Sequence, residues 1–192
     1  MSSTISYPSA DAGDVQHITS LLGKFPDWPI PGILFLDIMP IMLDPVAFEG
    51  VVTHLLHHVY TSTLHRTPQK KIDVVVGLDA RGFLFGPILA SRLGAAFVPV
   101  RKPGKLPGKC ITATYEKEYG KDEFQMQQGS IKPGQTVLVV DDLIATGGSA
   151  SAAGELVEKS SGTVAEYLFV IGIDPLKGYE KLNAPSYAIV KA

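Results

Sequence analysis

The sequence has one cysteine, no long apolar run and little net charge, and each shortage excludes a class of protein. Cys110 has no second cysteine to pair with, so no disulfide forms within the chain, which fits a reducing compartment. No apolar run reaches the roughly 18 residues of a membrane-spanning helix, and residues 1–8 lack the basic-then-apolar order of a signal peptide. The net charge of −2 gives no general attraction to nucleic acid or to a membrane surface. We therefore expect a soluble cytoplasmic protein with no nucleic-acid or membrane partner.

Two common nucleotide-binding signatures are also missing, and a different pattern stands in their place. Neither Gly-x-x-x-x-Gly-Lys-Ser/Thr nor Gly-x-Gly-x-x-Gly occurs where the apolar run 137–140 ends. Instead Asp141 and Asp142 follow that run, and the loop 146–149, Thr-Gly-Gly-Ser, opens a predicted helix. A helix N-terminus binds phosphate, glycines let the backbone approach it, and carboxylates hold sugar hydroxyls directly or through a metal. This pattern predicts a sugar-phosphate ligand, against the alternative of an ordinary strand–turn–helix connection.

The rest of the chain predicts an α/β fold. With 192 residues and 45% hydrophobic residues, one domain with an appendage is expected. Apolar strands predicted at 72–78, 96–100, 137–140, 164–173 and 186–190 alternate with helices predicted at 44–64, at 82–93 and from the loop 146–149 to about 159. Nearly continuous apolar strands of this kind favour a parallel sheet with helices on both faces. The loops after Leu78, Val100 and Val140 then meet at the carboxyl edge, where such sheets bind ligands.

Two of these loops carry further charge. Asp79-Ala80-Arg81-Gly82 is a sharp turn before a helix, which is either a second anion cradle or a surface turn. Residues 101–109 hold four cations, which form either a solvated face or a site for a highly charged anion. The polar and aromatic residues 110–128 predict a hairpin that stands off the core. His54, His57 and His58 share one helix face, and we expect a solvated face there rather than a metal site.

The stretch 137–149 resembles the phosphoribosyl pyrophosphate (PRPP) signature of type I phosphoribosyltransferases, and residues 25–35, 77–87, 101–108 and 118–121 resemble the adenine-specific members of that family. The resemblance covers roughly residues 20–190. It implies the type I phosphoribosyltransferase fold, an α/β domain spanning 1–192 with a central mostly parallel sheet and helices on both faces. It also implies a small N-terminal hood at about 20–44, a flexible lid hairpin at about 106–128, and a cis peptide between Asp79 and Ala80.

The activity implied by the resemblance is purine salvage, in which the 5-phosphoribosyl group of PRPP passes to adenine and gives AMP and pyrophosphate. Mg²⁺ is the implied cofactor, and a homodimer the implied assembly, with Arg101 as the residue expected to reach a neighbour's site. Asp141 and Asp142 would bind the ribose hydroxyls and hold the metal indirectly, through those hydroxyls or water. The 5′-phosphate would be bound by Ala145, Thr146, Gly147, Gly148 and Ser149, and the pyrophosphate by Asp79, Ala80, Arg81, Arg101, Lys102 and Lys105.

The catalytic residues implied by the resemblance are Glu118, Tyr119 and Arg81. Glu118 would act as general acid–base at the purine and Tyr119 as a lid residue, while the sequence leaves Glu116 open as the rival carboxylate. For adenine, Phe35 would stack on the ring, the backbone of Leu34 and Leu36 would bond its edge, and Ile173 would line the other side. Many relatives carry a charged residue where Leu36 and Gly172 stand here.

Two alternatives to this function remain open at the level of sequence. A phosphoribosyltransferase for another purine base usually places a charged or carboxamide group against the exocyclic oxygen, and no Lys or Asp lies between Ile30 and Leu36. A PRPP-sensing regulator without turnover would lack an intact lid, whereas Glu118 and Tyr119 are present.

Overall fold

The structure is a computed structural model that describes residues 14–28, 31, 34–116 and 121–192, without the side chains of Glu116 and Lys121. Two compact units make up the chain, Met1–His54 and Leu55–Ala192. The predicted hood lies in the first unit, and the predicted sheet and lid lie in the second. None of the helices in the described ranges is long and apolar enough to cross a membrane.

The first unit is built from short elements around a two-stranded ribbon. They are α1 (Val15–Leu21), β1 (Gly23–Pro26), β2 (Leu34–Asp37), α2 (Met39–Met42) and the beginning of α3 (Pro45–His58). β1 and β2 pair antiparallel with Phe25 opposite Phe35. The predicted start of α3 is confirmed, because Asp44 Oδ1 accepts hydrogen bonds from the backbone N–H groups of Val46 and Ala47 at 2.9 and 3.1 Å.

The second unit contains a five-stranded parallel sheet in the order β4-β3-β7-β8-β9. After α3 the chain passes through a π-helical segment (Val59–Thr63) and α4 (Leu64–Arg66). The remaining elements are β3 (Val74–Leu78), α5 (Gly82–Leu93), β4 (Ala96–Val100), β5 (Cys110–Glu116), β6 (Lys121–Gln127), β7 (Thr136–Ile144), α6 (Gly148–Lys159), β8 (Thr163–Gly172), the 3₁₀ turns Asp174–Leu176 and Gly178–Lys181, and β9 (Ser186–Lys191). The predicted α/β fold with a parallel sheet is confirmed.

Alternate residues of β3 show that helices cover both faces of the sheet. Val74 and Val76 belong to the apolar core that α6 joins through residues such as Ala153. Gly77 points to the opposite face, where a Cβ atom would meet the Phe97 ring at 2.8 Å and the carbonyl oxygen of Gly82 in α5 at 3.2 Å. Burial on both faces explains why the strands read as continuous apolar runs.

The hairpin of β5 and β6 is closely packed, which corrects the prediction that it stands off the core. Its inward side chains Ala113, Tyr115, Phe124 and Met126 are buried in the same core as α6. Lys159 Nζ donates a hydrogen bond of 2.7 Å to the carbonyl oxygen of Thr112, which ties α6 to β5. The alternation of small or aromatic residues with polar ones in the two strands is the period of a half-buried hairpin.

A buried carboxylate fixes the end of the long helix against β8. Glu166 is 2% exposed, and it accepts hydrogen bonds from His58 Nε2 at 3.0 Å and from the Thr63 hydroxyl. Arg66 pairs with it at 2.8 Å, and the His58 ring stacks on Tyr187 with 3.8 Å between centroids. The expectation of a solvated face is therefore wrong for His58. Because Glu166 is 108 residues from His58 in sequence, the residues around His58 could not predict this partner.

We predict that Glu166→Gln lowers the free energy of unfolding by about 2 kcal/mol, because the amide removes the charge that three donors share and turns an N–H group toward them. Urea denaturation would measure the loss. The matched control is Glu155→Gln, which removes an exposed pair with Lys159 and should cost less than about 0.5 kcal/mol. Equal losses in the two variants would contradict a structural role for the buried carboxylate.

Candidate active site

The predicted phosphate loop and the carboxylate pair surround one hollow of about 200 Å³ at the carboxyl end of β7. Its lining consists of Arg81, Asp141, Asp142 and residues 143–150, so all five residues predicted for the 5′-phosphate are present. Gly147 precedes α6 in a left-handed conformation, with φ 77°. The first turn of α6 leaves its N–H groups without intrahelical partners, and these face an anion in such loops.

The carboxylates lie within β7 rather than after it, because the strand runs on to Ile144. Arg81 Nε donates to Asp142 Oδ2, and the backbone N–H of Asp142 donates to Asp141 Oδ1 at 2.9 Å. Burial, together with the neighbouring charge of Asp142, raises the pKa of Asp141 well above its ordinary value. A cation bound beside the pair would favour the ionised form of Asp141.

A second hollow of about 260 Å³ adjoins the first, since Arg81, Asp141, Asp142 and Ser149 line both. Its other lining residues are Asp79, Ala80, Lys102, Tyr115 and Phe124. The peptide between Asp79 and Ala80 is cis, as the resemblance implied. Gly82 lets this turn approach β7, because a Cβ atom there would lie 2.5 Å from the carbonyl oxygen of Val140. The turn and the carboxylates thus share one wall of the site.

The predicted cations occupy different positions around the second hollow. Arg101 Nε pairs with Asp79 Oδ2 at 2.9 Å, and its Nη1 reaches the backbone oxygen of Lys105 at 3.3 Å. Lys102 lines the hollow and pairs with Asp122, with its Nζ 3.2 Å from the Tyr115 hydroxyl. Lys105 is exposed, and both Lys105 and Arg101 lie outside the lining. Arg101 and Lys102 are each held by a carboxylate of their own chain.

Sequence reasoning missed three residues at this hollow. Tyr115 and Phe124 stack with 5.3 Å between centroids, and Lys102 Nζ lies 5.5 and 5.1 Å from the two ring centroids. Asp122 completes the cluster by pairing with Lys102. The signal that points to them is the alternation of the hairpin strands, which sends Tyr115 and Phe124 inward on the side where the basic loop begins. Glu118 and Tyr119 lie outside the described residues, and of Glu116 only the backbone is described.

The residues predicted for the base divide between the two units and are described separately. In the first unit, Leu36 is 5% exposed and Leu34 is 55% exposed, and the Phe35 ring meets Trp28 edge-on at 4.4 Å between centroids. Among the described strands β2 pairs with β1 in a two-stranded ribbon, so half of its backbone polar groups point away from that partner. In the second unit, Ile173 follows β8 and donates its backbone N–H to Ile144 at 2.9 Å.

The donor set fits a magnesium ion that is shared with a ligand. Among the described residues there is no group of three or more His, Cys, Asp and Glu side chains that would cage a metal. Asp141 and Asp142 are adjacent hard oxygen donors, and burial together with the neighbouring Asp142 raises the pKa of Asp141. Mg²⁺ is commonly held by one or two carboxylates together with substrate oxygens and water.

We predict that Asp141→Asn raises the melting temperature of the ligand-free protein at pH 7. A raised pKa means that stability falls as pH rises above the ordinary carboxyl pKa, and the amide abolishes this loss. The gain should shrink as pH falls below about 4, where the wild-type carboxyl becomes protonated in the unfolded state as well as in the folded one. Thermal unfolding across pH measures the difference.

The control for this prediction is Asp73→Asn, which should have the opposite sign. The backbone N–H of Thr136 and the Lys71 ammonium lower the pKa of Asp73. Its carboxylate therefore contributes stability above the ordinary pKa, and the amide should lower the melting temperature at pH 7. A lower melting temperature in both variants would show that the ionised Asp141 carboxylate does not destabilise the folded protein.

Comparison with known proteins agrees with this geometry. A model of the phosphoribosyl transferase domain matches residues 51–191. The adenine phosphoribosyltransferase of Yarrowia lipolytica is 54% identical over 174 residues, which cover 91% of this chain and 93% of that protein.

Solved structures show the same relationship. The Saccharomyces cerevisiae adenine phosphoribosyltransferase, complexed with D-2,5-dideoxy-2,5-imino-altritol 1,6-bisphosphate and adenine, is 50% identical with a TM-score of 0.86, covering 91% of this chain and 97% of that one. The Trypanosoma brucei enzyme, in complex with AMP, pyrophosphate and ribose-5-phosphate, is 27% identical with a TM-score of 0.82, covering 96% of this chain and 82% of that one. The identity, the coverage and the matched domain together place this chain in the adenine phosphoribosyltransferase family.

Proposed function

We propose that this protein transfers the 5-phosphoribosyl group of PRPP to adenine, giving AMP and pyrophosphate in purine salvage. The observation that carries the proposal is the pair of adjoining hollows, one formed by a glycine loop and a helix N-terminus and the other lined by Arg81 and Lys102. PRPP has one phosphate at C5′ and a pyrophosphate at C1′. The shared carboxylates lie between the two anion sites, where the ribose hydroxyls of such a ligand would fall.

The first hollow is proposed to hold the ribose-5-phosphate half. The loop Ala145–Ser149 binds the 5′-phosphate through backbone N–H groups at the beginning of α6. Asp141 and Asp142 accept hydrogen bonds from the ribose hydroxyls. Arg81 holds Asp142 in place, which orients that carboxylate for a hydroxyl.

The second hollow is proposed to hold the pyrophosphate. The turn at Asp79, Ala80 and Arg81 offers backbone groups and one guanidinium, and Lys102 offers an ammonium. Both cations stabilise the charge that develops on the leaving pyrophosphate. Asp141 and Asp142 would hold Mg²⁺ indirectly, and the ion would supply further charge neutralisation at the leaving group.

In the proposed reaction, the bond between C1′ and the pyrophosphate oxygen breaks, and a bond from C1′ to adenine N9 forms. Glu118 accepts the proton that the five-membered ring of the base loses as this bond forms, and Tyr119 contributes to the lid that excludes water. Phe35 in the first unit and Ile173 in the second are proposed base contacts, with Leu34 and Leu36 contributing backbone groups.

The proposed assembly is a homodimer, and Arg101 is the residue proposed to reach a neighbour's site. In its own chain Arg101 pairs with Asp79. Reaching a neighbour would therefore require this pair to open.

An activity assay with four bases tests the proposed function. We predict that the protein, PRPP and Mg²⁺ convert adenine to AMP, and that hypoxanthine, guanine and xanthine give no product at comparable enzyme concentration. Product formation and pyrophosphate release would be followed together. Turnover of another base in preference to adenine would replace the proposed substrate, and product from none would favour a PRPP sensor.

We predict that Glu118→Gln lowers kcat by about 100-fold or more and changes the KM for PRPP little, since the carboxylate acts on the base proton rather than on PRPP. Glu123→Gln on β6 is the control in the same hairpin, because Glu123 is exposed and contacts Thr114. The companion variant is Glu116→Gln. If kcat falls in Glu116→Gln and stays near normal in Glu118→Gln, the acid–base role belongs to Glu116.

A further inference from the structure

The phosphate loop lies against a second loop through two glycines. A Cβ atom on Gly178 would lie 2.6 Å from the backbone nitrogen of Gly147 and would overlap the carbonyl oxygen of Ala145. A Cβ atom on Gly147 would in turn lie 2.8 Å from the carbonyl carbon of Gly178. The two backbones are therefore in direct contact on both sides, with no room for a side chain between them.

The reason for glycine at position 178 is space rather than backbone conformation. Gly147 has φ 77°, which itself favours glycine, whereas Gly178 is not in the left-handed region. Gly178 is buried although its neighbours Lys177 and Tyr179 are exposed. Its place in the fold is thus defined by the Ala145 and Gly147 backbone that it touches.

The loop that carries Gly178 is itself anchored to the end of the sheet. The backbone N–H of Ile173 donates to Ile144 at 2.9 Å, and that of Asp174 donates to Ala192 at 3.0 Å. Within the loop, the backbone N–H of Lys177 donates to the carbonyl oxygen of Asp174 at 3.0 Å. The backbone N–H of Glu180 donates to the carbonyl oxygen of Lys177, also at 3.0 Å. A loop with these bonds provides a fixed surface, because both its start and its turn are held by backbone groups.

The same loop holds α6 at a second point. The Tyr167 hydroxyl donates to Asn183 Oδ1 at 2.6 Å, and Asn183 Nδ2 donates to Glu158 Oε1 of α6 at 2.6 Å. The Tyr167 hydroxyl occupies the space where a Cβ atom on Gly154 would lie. Residues 174–183, which we call the buttress, therefore contact α6 both before its first turn and near its end.

We propose that Gly178 is a positioning residue for the 5′-phosphate, and that the buttress sets where the N–H groups of the loop 145–149 point. The inference rests on the proposed function, because it assigns that loop to the phosphate of PRPP and AMP. A methyl group at position 178 would push Ala145 and Gly147 away from the buttress. Displacements of about 1 Å at a positioned anion site can cost about 100-fold in rate.

The test uses the reverse reaction, since AMP carries the 5′-phosphate and pyrophosphate does not. With Mg²⁺ present, Gly178→Ala should raise the KM for AMP by about 10-fold or more and change the KM for pyrophosphate less than about 2-fold. Calorimetric titration with ribose 5-phosphate and, separately, with pyrophosphate should show the same contrast without turnover. Equal losses for both ligands, or none for ribose 5-phosphate, would overturn the proposal.

The matched control is Gly162→Ala, which crowds the protein at the other end of α6. A Cβ atom there would meet Ile131 Cγ2 at 2.9 Å and Val157 Cγ1 at 3.1 Å, also outside the left-handed region. It should lower the melting temperature and leave the KM for AMP unchanged. If Gly178→Ala behaves in the same way, position 178 has a structural role only.

Asn183→Ala supplies the decisive comparison if Gly178→Ala fails to fold. Asn183 is exposed, and its loss frees the buttress from Tyr167 and Glu158. It should weaken ribose 5-phosphate by about 3-fold, roughly the value of one hydrogen bond, and leave pyrophosphate unchanged. An unchanged affinity for ribose 5-phosphate would overturn the proposal.

Failure of the wild-type protein to turn over AMP would refute the proposed function. The difference in binding between ribose 5-phosphate and pyrophosphate would still decide the role of the buttress.

Discussion

The parallel pairing of β3 with β7 is the constraint on which the site depends. Its register runs from Val74 opposite Val137 to Gly77 opposite Val140, so both strands deliver their following residues to the same edge. The turn at 79–82 and the carboxylates of β7 are 60 residues apart in sequence and yet share a wall, because Gly82 allows backbone to approach backbone. The main-chain pairing of β3 with β7 therefore determines which residues lie together at this edge of the sheet.

The second requirement is that the positive side chains around the site be balanced by negative ones, and carboxylates of the same chain provide this balance. Arg81 pairs with Asp142, Arg101 with Asp79, and Lys102 with Asp122. Because each of these cations is paired with a carboxylate, a pyrophosphate bound as we propose would gain only the difference between its own contacts and those it replaces. Pairing also keeps the three positive groups from repelling one another in a partly buried space. Burial, together with the charge of Asp142, raises the pKa of Asp141 beside these pairs.

Much of the fold follows from local patterns, whereas the contacts around the site do not. The apolar runs and helix signals locate the strands of the sheet, the start of α3 at Asp44 and the end of α5 at Gly94, which has φ 63°. Charge after the strands points to the carboxylates and to Arg81. Partners that are distant in sequence have no local signal, as Glu166 with His58 and Asp122 with Lys102 show. The roles of Glu118 and Phe35 came from family resemblance, because residue type alone does not distinguish a catalytic glutamate from an exposed one.

The contact between the phosphate loop and the buttress has a consequence for protein engineering. The loop 145–149 is continuous in sequence, so it could be transferred into another parallel sheet as one segment. In this protein, however, its backbone contacts Gly178, which lies beyond the next strand of the sheet and which we propose positions the loop. A transplanted motif would bring its glycines and leave behind the surface that they contact. The transferable unit is the loop, α6, β8 and the buttress together.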